Sequence, residues 1–413
     1  MEKKKFKIVK WELLIMLWFA FFLSQADRQI FNVTLPLIRT EIALSDSEFG
    51  LIAAVLVWTF GMLVPVAGFL GDIFPKRNIL AFCIFFWSIF TFLTGFAGGL
   101  VSFILLLSIA TGGGEAFYAP AANAMLSEKY RENRAFALSI HQTAVYAGII
   151  LSGVLSGYIG EQWGWRMSFR VFGLAGMILS PVFFIRTGKL VTQTVPYDKN
   201  KIKKTFSEGF KVLGKPTAVT LIIAFSCLVF VNVGYLTWMP VYLVQKFGLS
   251  VTDAGFSALA YHHIGAFIGV MFGARIADRK ALIDPRKRLN IQSIALLAGI
   301  PFIIMMGLGE SKLSVYLSLT LFGLMRGVYD SNHFASMYEV VQPELRSTAT
   351  GFMLMFAFLS SAFAPILLAF LKSEVGLSYG FACLSFFYLM GAFSIAVGVK
   401  MFFRKDYIGE KQW

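Results

Sequence analysis

Charge is scarce in this sequence of 413 residues: aspartate, glutamate, lysine and arginine make up 15%, against 57% for the hydrophobic set. Soluble chains carry about 25% charge, and mean hydropathy here is +0.70, so no water-soluble fold hides this much apolar side chain. Lipid is the expected solvent. Hydrophilic sequence is equally short. No polar stretch is large enough for a separate catalytic domain, which excludes most soluble enzymes and any carrier driven by its own ATPase domain. The phosphate-cradling pattern G-x-x-x-x-G-K-[ST] is missing; Gly112-Gly113-Gly114 lies in an apolar run without the lysine. Cysteine is rare, and Cys83, Cys227 and Cys383 all sit in apolar runs, which excludes a disulfide framework or a Cys-rich metal site. No His, Cys, Asp or Glu spacing suits a metal, so neither metal nor cofactor is expected.

Acidic residues are outnumbered, 23 against 37 basic, for a net charge of +14. Nucleic acid is not the expected partner, because the basic residues fall at the ends of apolar runs, where positive-inside topology puts them. The basic N-terminus has no small-residue cleavage site after it, so the first run is expected to be retained.

Those runs cover 13–36, 50–70, 79–97, 102–125, 136–158, 168–186, 217–243, 255–276, 290–309, 313–337, 348–371 and 379–403. Each crosses about 30 Å of hydrocarbon at about 1.5 Å per residue. They are too long for barrel strands and do not alternate. Lysine and arginine crowd the N-terminal tail, the second, fourth and eighth loops, the middle and the C-terminal tail. Both termini are therefore expected in the cytoplasm of an inner-membrane, multi-pass chain. The expected organisation is an N-terminal six-helix bundle over 1–186, a basic cytoplasmic linker over 187–216 and a C-terminal six-helix bundle over 217–413. In the linker, Phe206, Phe210 and Leu213 recur at helical spacing after Lys199, Lys201, Lys203 and Lys204. An interfacial helix and a loose basic linker both fit that pattern.

A weak repeat relates the halves. Gly68-Phe69-Leu70-Gly71-Asp72 ends the second run and Gly273-Ala274-Arg275-Ile276-Ala277-Asp278-Arg279 ends the eighth, half a chain later. Repeated halves around a midplane site are a transporter architecture. Gly68-x-x-x-Asp72 followed by Lys76-Arg77 resembles the signature loop of the major facilitator superfamily. The resemblance implies an all-α integral membrane protein with twelve transmembrane helices in two pseudo-symmetric six-helix bundles, alternating access through a central cavity. Asp27-Arg28 and Gly114-Glu115-Ala116-Phe117-Tyr118-Ala119-Pro120 resemble spinster-like transporters. Trp163-Gly164-Trp165-Arg166, with Gly114-Glu115-Ala116 again, resembles the anion:cation symporter family of sugar-acid and organic-anion carriers. Gating at the helix ends is then expected of Gly68, Asp72, Lys76, Arg77, Arg134, Asp278, Arg279 and Arg346, with plain helix capping as the alternative.

Charges inside lipid-spanning runs cost several kcal/mol unless they line a cavity or find partners. Asp27 and Arg28 lie mid-run in the first span and Glu115 in the fourth. A network of these three is expected, serving either proton coupling or permanent helix packing. In the tenth span Arg326, Asp330 and His333 share one helical face. Arg326 suits an anionic substrate because a guanidinium is a planar fork of donors, unless Asp330 neutralises it; Asp330 is also a second proton-coupling candidate. His262, His263 and His141 are either titrating or hydrogen-bonded packing residues. Arg28, Asn32, Tyr118, Gln142, Asn232, Tyr235, Trp238, His262 and His333, with Gln25 and Asn123, complete the substrate-binding candidates. Glycines 148, 153, 157 and 265, 269, 273 mark close helix contacts.

The expected function is proton-coupled symport of a small organic anion such as a sugar acid, without catalysis, by a monomer in contact with membrane lipids. A lysophospholipid carrier, an exporter and a membrane receptor or scaffold are the alternatives.

Overall fold

The computed structural model describes residues 2–130, 134–188, 212–342 and 345–408, with backbone alone for 2–10, 68–73, 128, 134–136 and 347–348. The expected interfacial segment with Phe206 and Phe210 lies outside the described residues. Secondary structure among the described residues is helical throughout. The chain forms α1 (Glu2–Glu41), α2 (Asp46–Ile73), α3 (Lys76–Thr94), α4 (Leu100–Ser127), α5 (Arg134–Trp163), α6 (Trp165–Arg186), α7 (Pro216–Phe247), α8 (Val251–Ala281), α9 (Arg286–Leu308), α10 (Lys312–Asp330), α11 (Ala349–Glu374) and α12 (Gly376–Asp406). Among the described residues ten of these are long and apolar enough to cross a membrane, so the chain is an all-α, multi-pass membrane protein. The two that fall short, α1 and α10, carry Asp27-Arg28 and Arg326/Asp330.

The helices overrun the apolar stretches because polar first and last turns continue past the hydrocarbon. Several of them are irregular, and two of these bear on the site. In α4, Ile104–Thr111 is wound as a wide π turn, and Thr111 Oγ1 donates to the Leu106 carbonyl at 2.9 Å. The tenth apolar run was expected to be unbroken to 337. Instead α10 stops at Asp330, and a short helix, α13 (His333–Tyr338), follows. Asn332 at the break donates to the Val328 carbonyl (3.1 Å), so its own side chain satisfies a carbonyl of the last turn.

By internal contacts the chain divides into two compact units, Met1–Tyr197 with Met239–Leu259, and Asp198–Trp238 with Ala260–Trp413. The core of the first is a cluster around Leu17, Phe21, Trp87, Tyr118, Met125 and Phe183. Lipid supplies no hydrophobic drive between helices, so close packing and buried hydrogen bonds hold them. Tyr118 shows both, with its ring against Trp87 and Phe21 and its hydroxyl donating to the Leu17 carbonyl (2.5 Å). In the same unit Glu161, at the end of α5, caps the N-terminus of α8, accepting from the Val251 amide (2.6 Å) and the Thr252 hydroxyl (2.5 Å).

The second unit is built on a seam between α8 and α10. Gly265 and Gly269 of α8 meet the backbone of Thr320 and Leu324, while Gly323 and Gly327 of α10 meet that of His262 and Ala266. The expected small-residue contact is therefore two-sided, with glycine on both helices. Asp406, ending α12, accepts from the Thr217 amide (2.8 Å) in the first turn of α7.

Candidate functional site

In the first unit α1 and α4 bring opposite charges together in the membrane interior. Glu115 has its side chain fully enclosed, and Arg28 Nε donates to Glu115 Oε2 at 2.5 Å. The guanidinium also lies 3.9 Å from the Phe60 ring centroid of α2, an arrangement that stabilises a desolvated cation. Gly114 makes this placement possible. A Cβ there would come 2.9 Å from Phe86 and 3.1 Å from Trp87, so only glycine lets α4 lie this close to α3. Asp27, one residue before Arg28 and about 100° around the helix, points elsewhere. Its Oδ2 accepts from the Thr91 hydroxyl of α3 (3.1 Å). Asp27 Oδ1 and Glu115 Oε1 are buried without hydrogen-bond partners. Two carboxyl groups and one guanidinium thus share the region, each carboxyl with one oxygen unengaged. Such an oxygen is costly for a carboxylate and available to a proton.

Nearer the end of α4, Asn123 and Ser127 face Ser139 and Gln142 of α5 across an open cavity of about 520 Å³, also lined by Ala124 and Leu138. Amide and hydroxyl groups there suit a hydroxylated solute. Tyr118 and His141 do not line this cavity: they bond to each other (3.1 Å) inside the packed core. Asn32 is buried and donates to Gln29 Oε1 (3.3 Å).

In the second unit Arg326 Nε lies 3.2 Å from Asp330 Oδ2, the contact expected of positions four apart. Arg326 Nη1 also meets His262 Nε2 of α8 at 3.0 Å. His262 is fully buried between the rings of Tyr235 and Phe322. His333 Nδ1 donates to the Asp330 carbonyl (2.7 Å), and its ring stacks on Phe225. Trp238 is buried, donates to the Pro365 carbonyl (3.1 Å) and lies beneath the Lys372 ammonium. Asn232 is half-buried, with Oδ1 unengaged.

The expected gating residues divide. Asp278 pairs with Arg288 Nη1 at 2.9 Å, and Arg288 also reaches Glu339 (2.9 Å) and Asn332 Oδ1 (3.0 Å). Arg288 therefore holds both ends of the short helix α13, at Asn332 and at Glu339. Burial pushes Glu339 up to about 7, although Arg288 pulls the other way. Arg279 is exposed, and Lys76 is buried. Arg77 lies over the Phe184 ring and donates to that residue's carbonyl (2.7 Å). Arg346 donates to the Tyr338 carbonyl (3.3 Å). The backbone of Gly68 and Asp72 lies in α2 and that of Arg134 opens α5, but their side chains lie outside the described residues.

Sequence reasoning found Arg28, Glu115, Arg326 and Asp330 from charge in apolar runs. It missed Phe60, Thr91, Glu161 and Glu339, and treated Arg288 only as one basic loop residue. A charge at a helix end, as at Arg288 and Glu339, was the available signal. For Phe60 and Thr91 there was none, since one phenylalanine or threonine in a span looks like any other.

The sequence matches the family model described as the Major Facilitator Superfamily over residues 17–365. It is 24% identical to a probable galactarate/D-glucarate transporter of Bacillus subtilis, over 89% of this chain and 87% of that one. It is 25% identical to an efflux pump of Mycolicibacterium smegmatis, over 86% and 82%. In fold it resembles a bacterial homologue of the human lysosomal transporter Spinster, solved inward-facing and unoccupied. The TM-score is 0.84 at 20% identity, covering 97% of this chain and 99% of that one.

Proposed function

Because the chain belongs to the major facilitator superfamily, and so to the secondary transporters of small molecules, we propose that it carries out proton-coupled symport of a small organic anion, a sugar acid, by alternating access. Two six-helix halves would alternate about the site, in a monomer of the inner membrane with both termini in the cytoplasm. The observation that carries this reading is the buried Arg28–Glu115 pair beside Asp27.

Arg28 already has a carboxylate, so a substrate carboxylate must displace Glu115. A proton on Glu115 cancels its charge and frees the guanidinium fork for the anion. Proton and anion then arrive together, and the charge of the site is the same before and after. Asp27, engaged by a hydroxyl on one oxygen only, is the second proton carrier. Amide and hydroxyl groups of the kind at Asn123, Ser127 and Gln142 would bind the hydroxyls of a sugar acid. The resemblance to a galactarate/D-glucarate transporter supports the substrate class.

A lysophospholipid carrier is the second reading. A wholly apolar groove of about 240 Å³ between Trp11, Leu14, Ile15, Trp18, Phe19 and Ile140 favours it. The deciding experiment is uptake into proteoliposomes under an imposed proton gradient, with galactarate, glucarate, neutral sugars and lysophospholipid offered together. Accumulation of a sugar acid that collapses with a protonophore supports symport. Uptake of lysolipid alone transfers the assignment to the second reading. Sugar-acid movement only against an opposing proton gradient makes the protein an exporter.

A further inference from the structure

Arginine has only donors. The 3.0 Å contact between Arg326 Nη1 and His262 Nε2 therefore exists only while Nε2 keeps its lone pair. His262 is accordingly the neutral Nδ1–H tautomer, with Nδ1 toward the Leu319 carbonyl but short of hydrogen-bond geometry. The ring is fully buried, so it reaches a solute only through Arg326. It is held from every side: Tyr235 of α7, His263 of α8, and Phe322 and Arg326 of α10, with Asp330 and Tyr388 of α12 facing Arg326 from behind. Arg326 itself is half-buried, and its Nη2 makes no hydrogen bond to the described residues.

We propose that His262 is a positioning residue that retains Arg326 while neutral and releases it when protonated, so that the second unit has its own proton-controlled grip on the substrate anion. This rests on the symport reading. A proton on Nε2 removes the acceptor of Nη1 and sets cation against cation. The guanidinium must then turn from the ring, and a carboxylate is the partner that both charges accept. Asp330 limits the swing, since its carboxylate holds the Nε side of the fork. The expectation that His262 itself lines the substrate path is thereby replaced by action through Arg326.

Two measurements test this. In nitrogen-15 histidine-labelled protein, with the His262 signal identified by its loss in His262→Gln, the resonances should show the Nδ1–H tautomer. The hydrogen-bonded shift of Nε2 should disappear in Arg326→Gln. The Nε2–H tautomer, or an Nε2 signal indifferent to Arg326, overturns the proposal without reference to any substrate. Galactarate binding is then followed by calorimetry across pH. Gln retains an oxygen where Nε2 stood but takes up no proton, so His262→Gln should lose one linked proton. Its dissociation constant should change about tenfold less per pH unit than that of the unaltered protein. Equal slopes overturn the role of His262 and leave symport standing, provided uptake still follows the proton gradient. Uptake indifferent to that gradient overturns symport instead, and the nitrogen shifts still decide on His262.

Discussion

Replacing Glu115 by Gln tests the central ion pair most directly. The change keeps the shape and leaves an amide oxygen to accept from Arg28, but removes the charge. Glu115 is fully enclosed and Arg28 exposes 19% of its side chain. Removing one partner of a buried pair costs about 3–5 kcal/mol, chiefly because the other charge is stranded. The surviving acceptor and the Phe60 ring at 3.9 Å both soften that loss, which places Glu115→Gln near the lower bound, about 3 kcal/mol. Arg28→Gln should cost a similar amount. The double variant strands neither member of the pair and should lie within about 1 kcal/mol of the parent, with Asp27 taking up a proton, since neutral replacements of a buried pair are often harmless. Reversible unfolding by dodecyl sulphate in mixed micelles measures all four corners of this cycle. Galactarate should then restore stability to Glu115→Gln more than to the parent, because Arg28 stands ready for a carboxylate. If Glu115→Gln is as stable as the parent, or the double variant no better than the single, the pair is not the charge-balanced element described here.

Asp27→Asn should abolish proton-driven accumulation in proteoliposomes while sparing exchange of internal for external substrate; unchanged pH dependence would remove Asp27 from the coupling. Gly327→Ala puts a Cβ 2.1 Å from the Ala266 carbonyl oxygen, so the backbones must part. Overpacking costs about 1–3 kcal/mol, and a loss near the top of that range is expected in the same unfolding assay. Glu339 is pushed up to about 7 from an ordinary 4.5. Its contribution to stability is therefore complete below pH 4.5 and lost as pH rises through 7. Each pH unit of that window is worth at most about 1.4 kcal/mol. Stability profiles of Glu339→Gln and the parent should diverge across it, and parallel profiles would contradict the assigned burial.

Much of the fold is legible in composition because lipid imposes a simple rule: about 20 apolar residues per crossing and every backbone bond made internally. That rule finds the spans, and it also makes Arg28, Glu115, Arg326 and Asp330 conspicuous. Arg326 and Asp330 could even be paired from sequence, being four residues apart on one helix. The partnerships of Arg28 with Phe60, Asp27 with Thr91 and Arg326 with His262 join different helices, and spacing along the chain carries no trace of them. The break at Ser331–Asn332 was hidden for a related reason. The polar run Asp330-Ser331-Asn332-His333 reads as part of an inward helical face, while the cause of the break is a side-chain amide that bonds the helix's own carbonyl and is held in turn by Arg288.

The wide turn at Ile104–Thr111 gives α4 a change of phase. Hydrogen bonds that reach one residue further fit an additional residue into the same rise, and every side chain downstream is rotated by about 100° relative to a regular helix. The stretch before the turn and Glu115 after it thus answer to two different angular registers on one continuous rod. Deleting a single residue between Ile104 and Thr111 would leave the span long enough to cross and just as greasy, yet carry Glu115 about a quarter turn away from Arg28. The position of the buried charge in this transporter is set by a count of residues about one to three turns away, in a segment with no charge of its own.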